Sequence, residues 1–164
     1  MKTIIVTGTP GTGKTTLAKK LSKKLKYSYI DVNKVIEKNK LKEKYDRKKK
    51  CYIVDIKKLN KSLIKIINNS KKNKISIIID SHLSHYLPSK YVDLCIVTKC
   101  SLKKLKSRLE KNKKYPKAKV RENLDCEIFD ICLNEAKEAR HNVIVTDTTK
   151  PLNIDKIAKK INKK

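Results

Sequence analysis

Short apolar runs alternate along this chain with stretches in which apolar residues recur every three or four positions. The first run, "TIIVTG", is continuous and bounded by glycine, which predicts a buried strand. In "GKTTLAKKLSKKL", Leu17, Leu21 and Leu25 lie four apart and predict a helix. "YSYIDV" predicts a second short strand, and "NKVIEKNK" a short helix capped by Asn33. "LKEKYDRKKKCYIVD" has no clean period and predicts a loop-rich excursion. "DIKKLNKSLIKIINNS" predicts a helix whose apolar stripe is Leu59, Leu63, Ile66 and Ile67. "KISIIID" and "VDLCIVT" predict central strands. "SLKKLKSRLEK" predicts a helix, "NKKYPKAK" a break, and "AKVRENLDCEIFDICLNEAKEA" one long helix. "NVIVTD" predicts a fifth strand and "NIDKIAKKIN" a closing helix.

Strands of four to seven residues separated by helices imply an α/β fold with a parallel sheet covered on both faces. No internal repeat and no Gly/Ser-rich linker interrupts the 164 residues, so a single α/β domain over 1–164 is expected, with irregular inserts near 40–54 and 111–119. No apolar run approaches the roughly 18 residues of a membrane span, and "MKTIIVTG" is too short for a signal peptide. Cys51, Cys95, Cys100, Cys126 and Cys132 form no C-x-x-C pair and are odd in number, which favours reduced thiols over a disulfide framework or a zinc site. A cytoplasmic protein is expected, or a nuclear one in a eukaryote, without membrane attachment.

Charge changes the picture. The chain carries 43 basic and 16 acidic residues, a formal net charge of +27. Such a field attracts polyanions. Only four of the basic residues are arginine (Arg47, Arg108, Arg121 and Arg140), and lysine is spread along the whole length. A dedicated nucleic-acid patch would cluster its charge and use more arginine, so a general lysine bias is favoured, with RNA contact as the open alternative.

The most specific chemistry lies at Gly8-Thr9-Pro10-Gly11-Thr12-Gly13-Lys14-Thr15, which fits G-x-x-x-x-G-K-[ST] between a predicted strand and a predicted helix. The glycines let backbone N–H groups curl around phosphate oxygens, and the helix starting near Gly13 points its positive end at the same anion. Lys14 is placed to reach the outer phosphates, and the Thr15 hydroxyl is a Mg²⁺ ligand. Asp80, at the end of "SIIID", is a carboxylate suited to orienting Mg²⁺ through its waters. His82, two residues on, could position a water or touch the transferring phosphate. His85 is less well placed, and His141 reads as structural. Neither a base-reading N-K-x-D motif nor switch segments are visible, and the chain is too short for a helicase. Small P-loop kinases, with an acceptor-binding segment after the second strand and a basic lid before the last long helix, fit the size. "RLEKNKKYPKAKVR", from Arg108 to Arg121, is such a basic stretch.

Taken together, "TGTPGTGKTTLAKKL", "YDRKKKCYIVD", "IIDSHLSHYLP" with its D-x-H, "VDLCIVTKCSLKKLKSRL", "YPKAKVRENLDCEIFDICLNEA" and "NVIVTDTT" resemble the adenylate kinase isoenzyme 6-like family, dual kinase/ATPases linked to small-ribosomal-subunit assembly. The resemblance covers nearly the whole chain, and the helix with Glu122-Asn123 and Glu127-Ile128 in step is its most specific part. It implies a nucleoside-monophosphate-kinase fold, a five-stranded parallel sheet of order 2-3-1-4-5. It implies ATP and Mg²⁺ at Gly11, Gly13, Lys14, Thr15 and Thr16. It implies an AMP-binding insert about 31–54, with Asp31 and Asp55 at its ends as substrate-binding candidates alongside Arg108, and a lid about 111–121. Asp80 and His82 would be its modified Walker B pair. Where the family lid carries an Arg-Gly-Tyr triplet, this chain has Lys113-Lys114-Tyr115, so Lys113 would stand in for the arginine. Lys99 likewise replaces an arginine after the fourth strand. A lysine cannot make the same bidentate phosphate contact.

The expected activity is ATP + AMP ⇌ 2 ADP by a monomer, with slow ATP hydrolysis, and the resemblance adds a small-subunit platform ribosomal protein as partner during rRNA maturation. Two alternatives stand beside it: a nucleotide-switched assembly ATPase with little kinase activity, and a P-loop kinase for another small acceptor.

Overall fold

A computed structural model of the chain describes residues 1–47, 51–112 and 115–162. Its elements run β1 (Thr3–Thr7), α1 (Lys14–Leu25), β2 (Ser28–Asp31), α2 (Val32–Lys38), β3 (Lys42–Asp46), β4 (Cys51–Val54), α3 (Ile56–Lys72), β5 (Ile77–Asp80), β6 (Leu94–Lys99), α4 (Leu102–Lys111), α5 (Lys117–Ile128), α6 (Ile131–Glu138), β7 (Val143–Asp147) and α7 (Ile154–Asn162), with two single 3-10 turns between β5 and β6. Five strands form one parallel sheet in the order β2-β5-β1-β6-β7. Counting sheet strands along the chain, that is the expected 2-3-1-4-5.

The alternation of side chains along each strand divides the core into two layers. Ile5, Ile77, Ile79, Cys95 and Val97 face α2, α3 and α6, meeting Val35, Leu59, Leu63, Ile67 and Ala136. Ile4, Val6, Ile78, Leu94 and Ile96 face the other side and pack on Leu17, Ala18 and Leu21 of α1 and on Ala158 and Ile161 of α7. Both faces of β1 are therefore buried, so its run of apolar residues is continuous rather than alternating. Truncating Ile4 or Ile5, both fully buried, to Ala would cost about 2–5 kcal/mol each. A third, smaller cluster of Cys100, Leu105, Leu109 and Val120 joins α4 to α5. Among the described residues no helix is long and apolar enough to cross a membrane.

Three local expectations need correction. The cap of α2 is Asp31, whose carboxylate accepts from Asn33 N–H at 2.9 Å; Asn33 lies inside the helix. The stretch expected as loop holds an antiparallel hairpin, β3 with β4, pinned by an edge-to-face Tyr45–Tyr52 pair with centroids 5.0 Å apart. The expected long helix is two helices, because Asp130 adopts a left-handed conformation (φ 53°) that ends α5 and starts α6.

Candidate functional site

The phosphate loop leaves the carboxyl end of β1 and turns into α1. At Gly8 (φ 137°) a Cβ would lie 2.5 Å from Thr98 Oγ1 and 2.6 Å from Thr98 O, so no side chain fits. Gly13 (φ 87°) makes the left-handed step into the helix, whose first turn carries no acidic residue to compete with an anion. The loop is braced from several sides. Thr12 Oγ1 donates to Thr9 O (2.7 Å) and shares a hydrogen bond with Thr98 Oγ1 (2.7 Å), while Thr148 Oγ1 donates to Thr12 O (2.5 Å). From α4, Arg108 donates to Gly11 O (3.3 Å) and to Thr148 O (3.0 Å).

Gly11, Gly13, Lys14, Thr15 and Thr16 open together into a cavity of about 620 Å³ whose far wall is Arg108 and the segment Thr148–Leu152. Lys14 Nζ donates to Thr9 O at 3.0 Å. Burial pulls its pKa down to about 8, against the attraction of Asp80. Asp80 ends β5 in register with Val6 and is 6% exposed; one of its oxygens accepts from Tyr29 Oη at 2.8 Å. Burial and that carboxylate raise the Tyr29 pKa, so the phenol stays a donor. Among the described residues no group of three or more His, Cys, Asp or Glu could hold a metal by itself. A Mg²⁺ bound through one buried carboxylate, the exposed Thr15 hydroxyl, substrate phosphates and water needs no such group, so the residues fit it.

His82 does not line that cavity but a smaller one, with Thr9, Pro10 and Lys119. The residue is exposed, yet desolvation by the surrounding protein, with Lys14 and Lys119 nearby, lowers its pKa to about 4 and keeps it neutral. His85 is buried: Nδ1 bonds Thr7 Oγ1 (2.7 Å) and Nε2 bonds Glu135 (2.8 Å). Burial lowers its pKa more than Glu135 raises it. His141 Nε2 meets His85 O at 2.9 Å. Both are structural in geometry.

The remaining predicted residues scatter. Arg108 lines the nucleotide-sized cavity. Asp31 caps α2 at the edge of a separate groove of about 440 Å³ that also includes Tyr29, Lys34, Lys38, Ser62 and Lys65. Asp55 caps α3, accepting from Lys58 N–H at 3.1 Å, and that bond lowers its pKa. Lys113 lies outside the described residues. Lys99 does not face the cavity. Its ammonium reaches Glu127 Oε1 (3.4 Å), Glu127 O (3.1 Å) and Asp130, and those contacts raise its pKa against the effect of burial.

Sequence reasoning missed the centre of this arrangement. Glu127, 5% exposed, accepts from Thr9 Oγ1 (2.7 Å) and from Cys100 N–H (2.9 Å) while facing Lys99. One carboxylate thus ties the phosphate loop, the end of β6 and α5 together. The available signal was the i, i+4 step from Asn123 to Glu127, two polar residues on the buried side of a helix.

The chain matches the AAA domain family over residues 4–130. It is 35% identical over 142 residues to the adenylate kinase isoenzyme 6 homolog of Caenorhabditis elegans, covering 87% of this chain and 76% of that protein. It is 33% identical over 144 residues to the homolog of the same name in Dictyostelium discoideum, covering 88% and 79%. Shikimate kinase from Acinetobacter baumannii shares the fold at a TM-score of 0.62 and 15% identity, with 99% of this chain and 92% of that one covered. With a phosphate loop braced by Glu127 and Arg108, and these two relatives matched over most of their length, the chain belongs to the adenylate kinase isoenzyme 6 family.

Proposed function

We propose that the protein transfers the terminal phosphoryl group of ATP to AMP. The observation that carries this reading is the braced loop with Lys14 at its centre, opening into a cavity large enough for a nucleotide between α1, Arg108 and the Thr148–Leu152 segment. The groove between β2, α2 and α3, lined by Lys34, Lys38 and Lys65, suits an acceptor nucleotide in the insert 31–54. The first turn of α1 and Lys14 hold the phosphates of the donor, and Arg108 fixes the wall beside them. Thr15 and Asp80 would hold Mg²⁺, which would supply charge neutralisation on the donor phosphates. Phosphoryl transfer asks mainly for positioning and charge, and the loop supplies both without covalent chemistry. The segment 111–121 would close as a lid, with Lys113 in the arginine's place.

His82, held neutral next to Thr9, supports slow ATP hydrolysis as a second activity, because a neutral imidazole can accept a proton from water. The family resemblance and, toward RNA, the +27 charge support a nucleotide-dependent hold on a small-subunit ribosomal protein and RNA. The test is chromatographic analysis of products from Mg²⁺-ATP with and without AMP. AMP-dependent ADP formation much faster than a slow phosphate release is the expected result, and Lys14→Ala should abolish both. Phosphate release indifferent to AMP would replace the kinase by an ATPase switch. His82→Ala should slow hydrolysis more than transfer; equal loss of both would reject that division of labour.

A further inference from the structure

Tyr29 carries a hydroxyl that its packing does not require. The residue lies on β2 beside Ile78 of β5. Its ring packs against the layer between the sheet and α1 that contains Leu17, Leu21 and Ile78. A phenylalanine would fill that place. The hydroxyl reaches two residues further along β5, where Tyr29 Oη donates to Asp80 Oδ2 at 2.8 Å. The strand alternation explains the meeting: Ile78 and Asp80 project from the same face of the sheet, the one covered by α1. On α1, Thr15 and Lys19 are four residues apart and so share one side of the helix. Lys19 Nζ lies 5.7 Å from the centroid of the Tyr29 ring. The ring is thus covered by α1 one turn beyond Thr15, and its hydroxyl ends on a carboxylate that is 6% exposed.

From this juxtaposition we infer that Tyr29 is a positioning residue for Asp80 and sets which divalent cation the nucleotide site accepts. Such a role rests on the reading that Thr15 and Asp80 hold the cation of a bound nucleotide. With Oδ2 engaged by the phenol, Asp80 has one oxygen rather than two to offer a cation. Mg²⁺ demands octahedral geometry and keeps several of its waters, so one fixed acceptor serves it. Ca²⁺ takes more oxygen ligands and readily uses both oxygens of one carboxylate, which the phenol obstructs. The same bond fixes the orientation of the carboxylate, and outer partners of this kind are typically worth about 10–100-fold in metal affinity.

The test is calorimetric binding of a β,γ-imido analogue of ATP to the full chain, in saturating Mg²⁺, in saturating Ca²⁺ and in EDTA. In Tyr29→Phe, which keeps the ring in place, affinity in Mg²⁺ should fall about tenfold. Affinity in Ca²⁺ should hold within about twofold, because the freed oxygen offsets the lost orientation. Affinity in EDTA should also be unchanged. Discrimination between the two cations therefore falls about tenfold. The affinity of each cation for the free nucleotide cancels when variant and parent are compared. A hydroxyl that serves only the fold would weaken binding alike in all three conditions or in none, and either result overturns the inference. Asp80→Asn supplies the second comparison. It should weaken binding in Mg²⁺ relative to EDTA, and adding Tyr29→Phe to it should change the preference for Mg²⁺ over Ca²⁺ no further. A preference that still shifts without the carboxylate would show the phenol acting by another route and reject its role on Asp80. An Asp80→Asn protein with unaltered Mg²⁺ dependence would reject the metal assignment and the inference together, while the kinase reading is still decided by its product assay.

Discussion

Replacing Glu127 tests whether the phosphate loop is held from behind by one carboxylate. Glu127 accepts from Thr9 Oγ1 and Cys100 N–H and lies 3.4 Å from Lys99 Nζ, all in a place where it is 5% exposed. In Glu127→Gln the amide oxygen still accepts from Cys100, and the Thr9 hydroxyl can turn to accept from the new N–H₂. What is lost is charge assistance, about 1 kcal/mol for each of the two bonds, so about 2 kcal/mol in total. In Glu127→Leu both donors are left without a partner, at about 1–3 kcal/mol each, giving about 4 kcal/mol. For a chain of this length each kcal/mol moves the melting temperature about 2–4 °C, so the two variants should melt about 4–8 °C and 8–16 °C lower. Urea unfolding gives the same ranking through its midpoint, with an unchanged slope as the sign that only stability moved. ATP binding should weaken alongside, since Thr9 also holds Lys14 and Thr12. A Leu variant as stable as the Gln variant would show that the two donors find other partners and that Glu127 does not brace the loop.

Three further outcomes follow from the site. Gly8→Ala should bind ATP poorly and unfold at lower urea, by about 1–3 kcal/mol or more, because its Cβ would overlap Thr98 at a φ that L residues avoid; a variant matching the parent in both assays would refute the steric argument. Arg108→Lys keeps the charge but loses the fork that reaches Gly11 O and Thr148 O at once, so ATP affinity measured by calorimetry should fall about tenfold, whereas an unchanged affinity would make the arginine dispensable. Lys14, with its pKa lowered to about 8 against an ordinary 10.5, binds fewer protons in the empty fold than in the unfolded chain between those values. Stability of the nucleotide-free protein should therefore rise with pH across that window, by at most about 1.4 kcal/mol per unit, and Lys14→Met should flatten the rise. ATP binding above pH 8 should take up a proton, visible as a buffer-dependent heat; a buffer-independent heat would place the amine's charge elsewhere.

The parts of the fold that sequence exposes are those where one physical cause acts alone. β1, β5 and β6 are buried on both faces, so their apolar runs announce strands, and the glycine pattern announces the phosphate loop. The hairpin β3–β4 gives no such sign, because most of its side chains are exposed, β3 is largely charged and no apolar face repeats. The break between α5 and α6 is hidden for the opposite reason: apolar residues continue through Ile128, Phe129 and Ile131, and the left-handed residue is an aspartate rather than a glycine. The cap of α2 was misplaced by two positions, since Asp31 and Asn33 are both good caps and only the backbone chooses. Asp80 and Lys14 could be given roles from local context, whereas the bracing role of Glu127 could not. Its partners Thr9 and Cys100 lie 118 and 27 residues away in the chain.

The threonines around the empty loop carry a kinetic consequence. Thr9, Thr12, Thr98 and Thr148 already exchange their hydrogen bonds before any nucleotide arrives, and Lys14 waits on the Thr9 carbonyl. An incoming triphosphate meets a phosphate loop already held by these hydrogen bonds, with the Lys14 ammonium to swing across. Capture should then be governed by diffusion and by the attraction between a polyanion and a strongly cationic protein. The association rate constant should fall steeply with added salt, while the dissociation rate, set by contacts inside the loop, changes little.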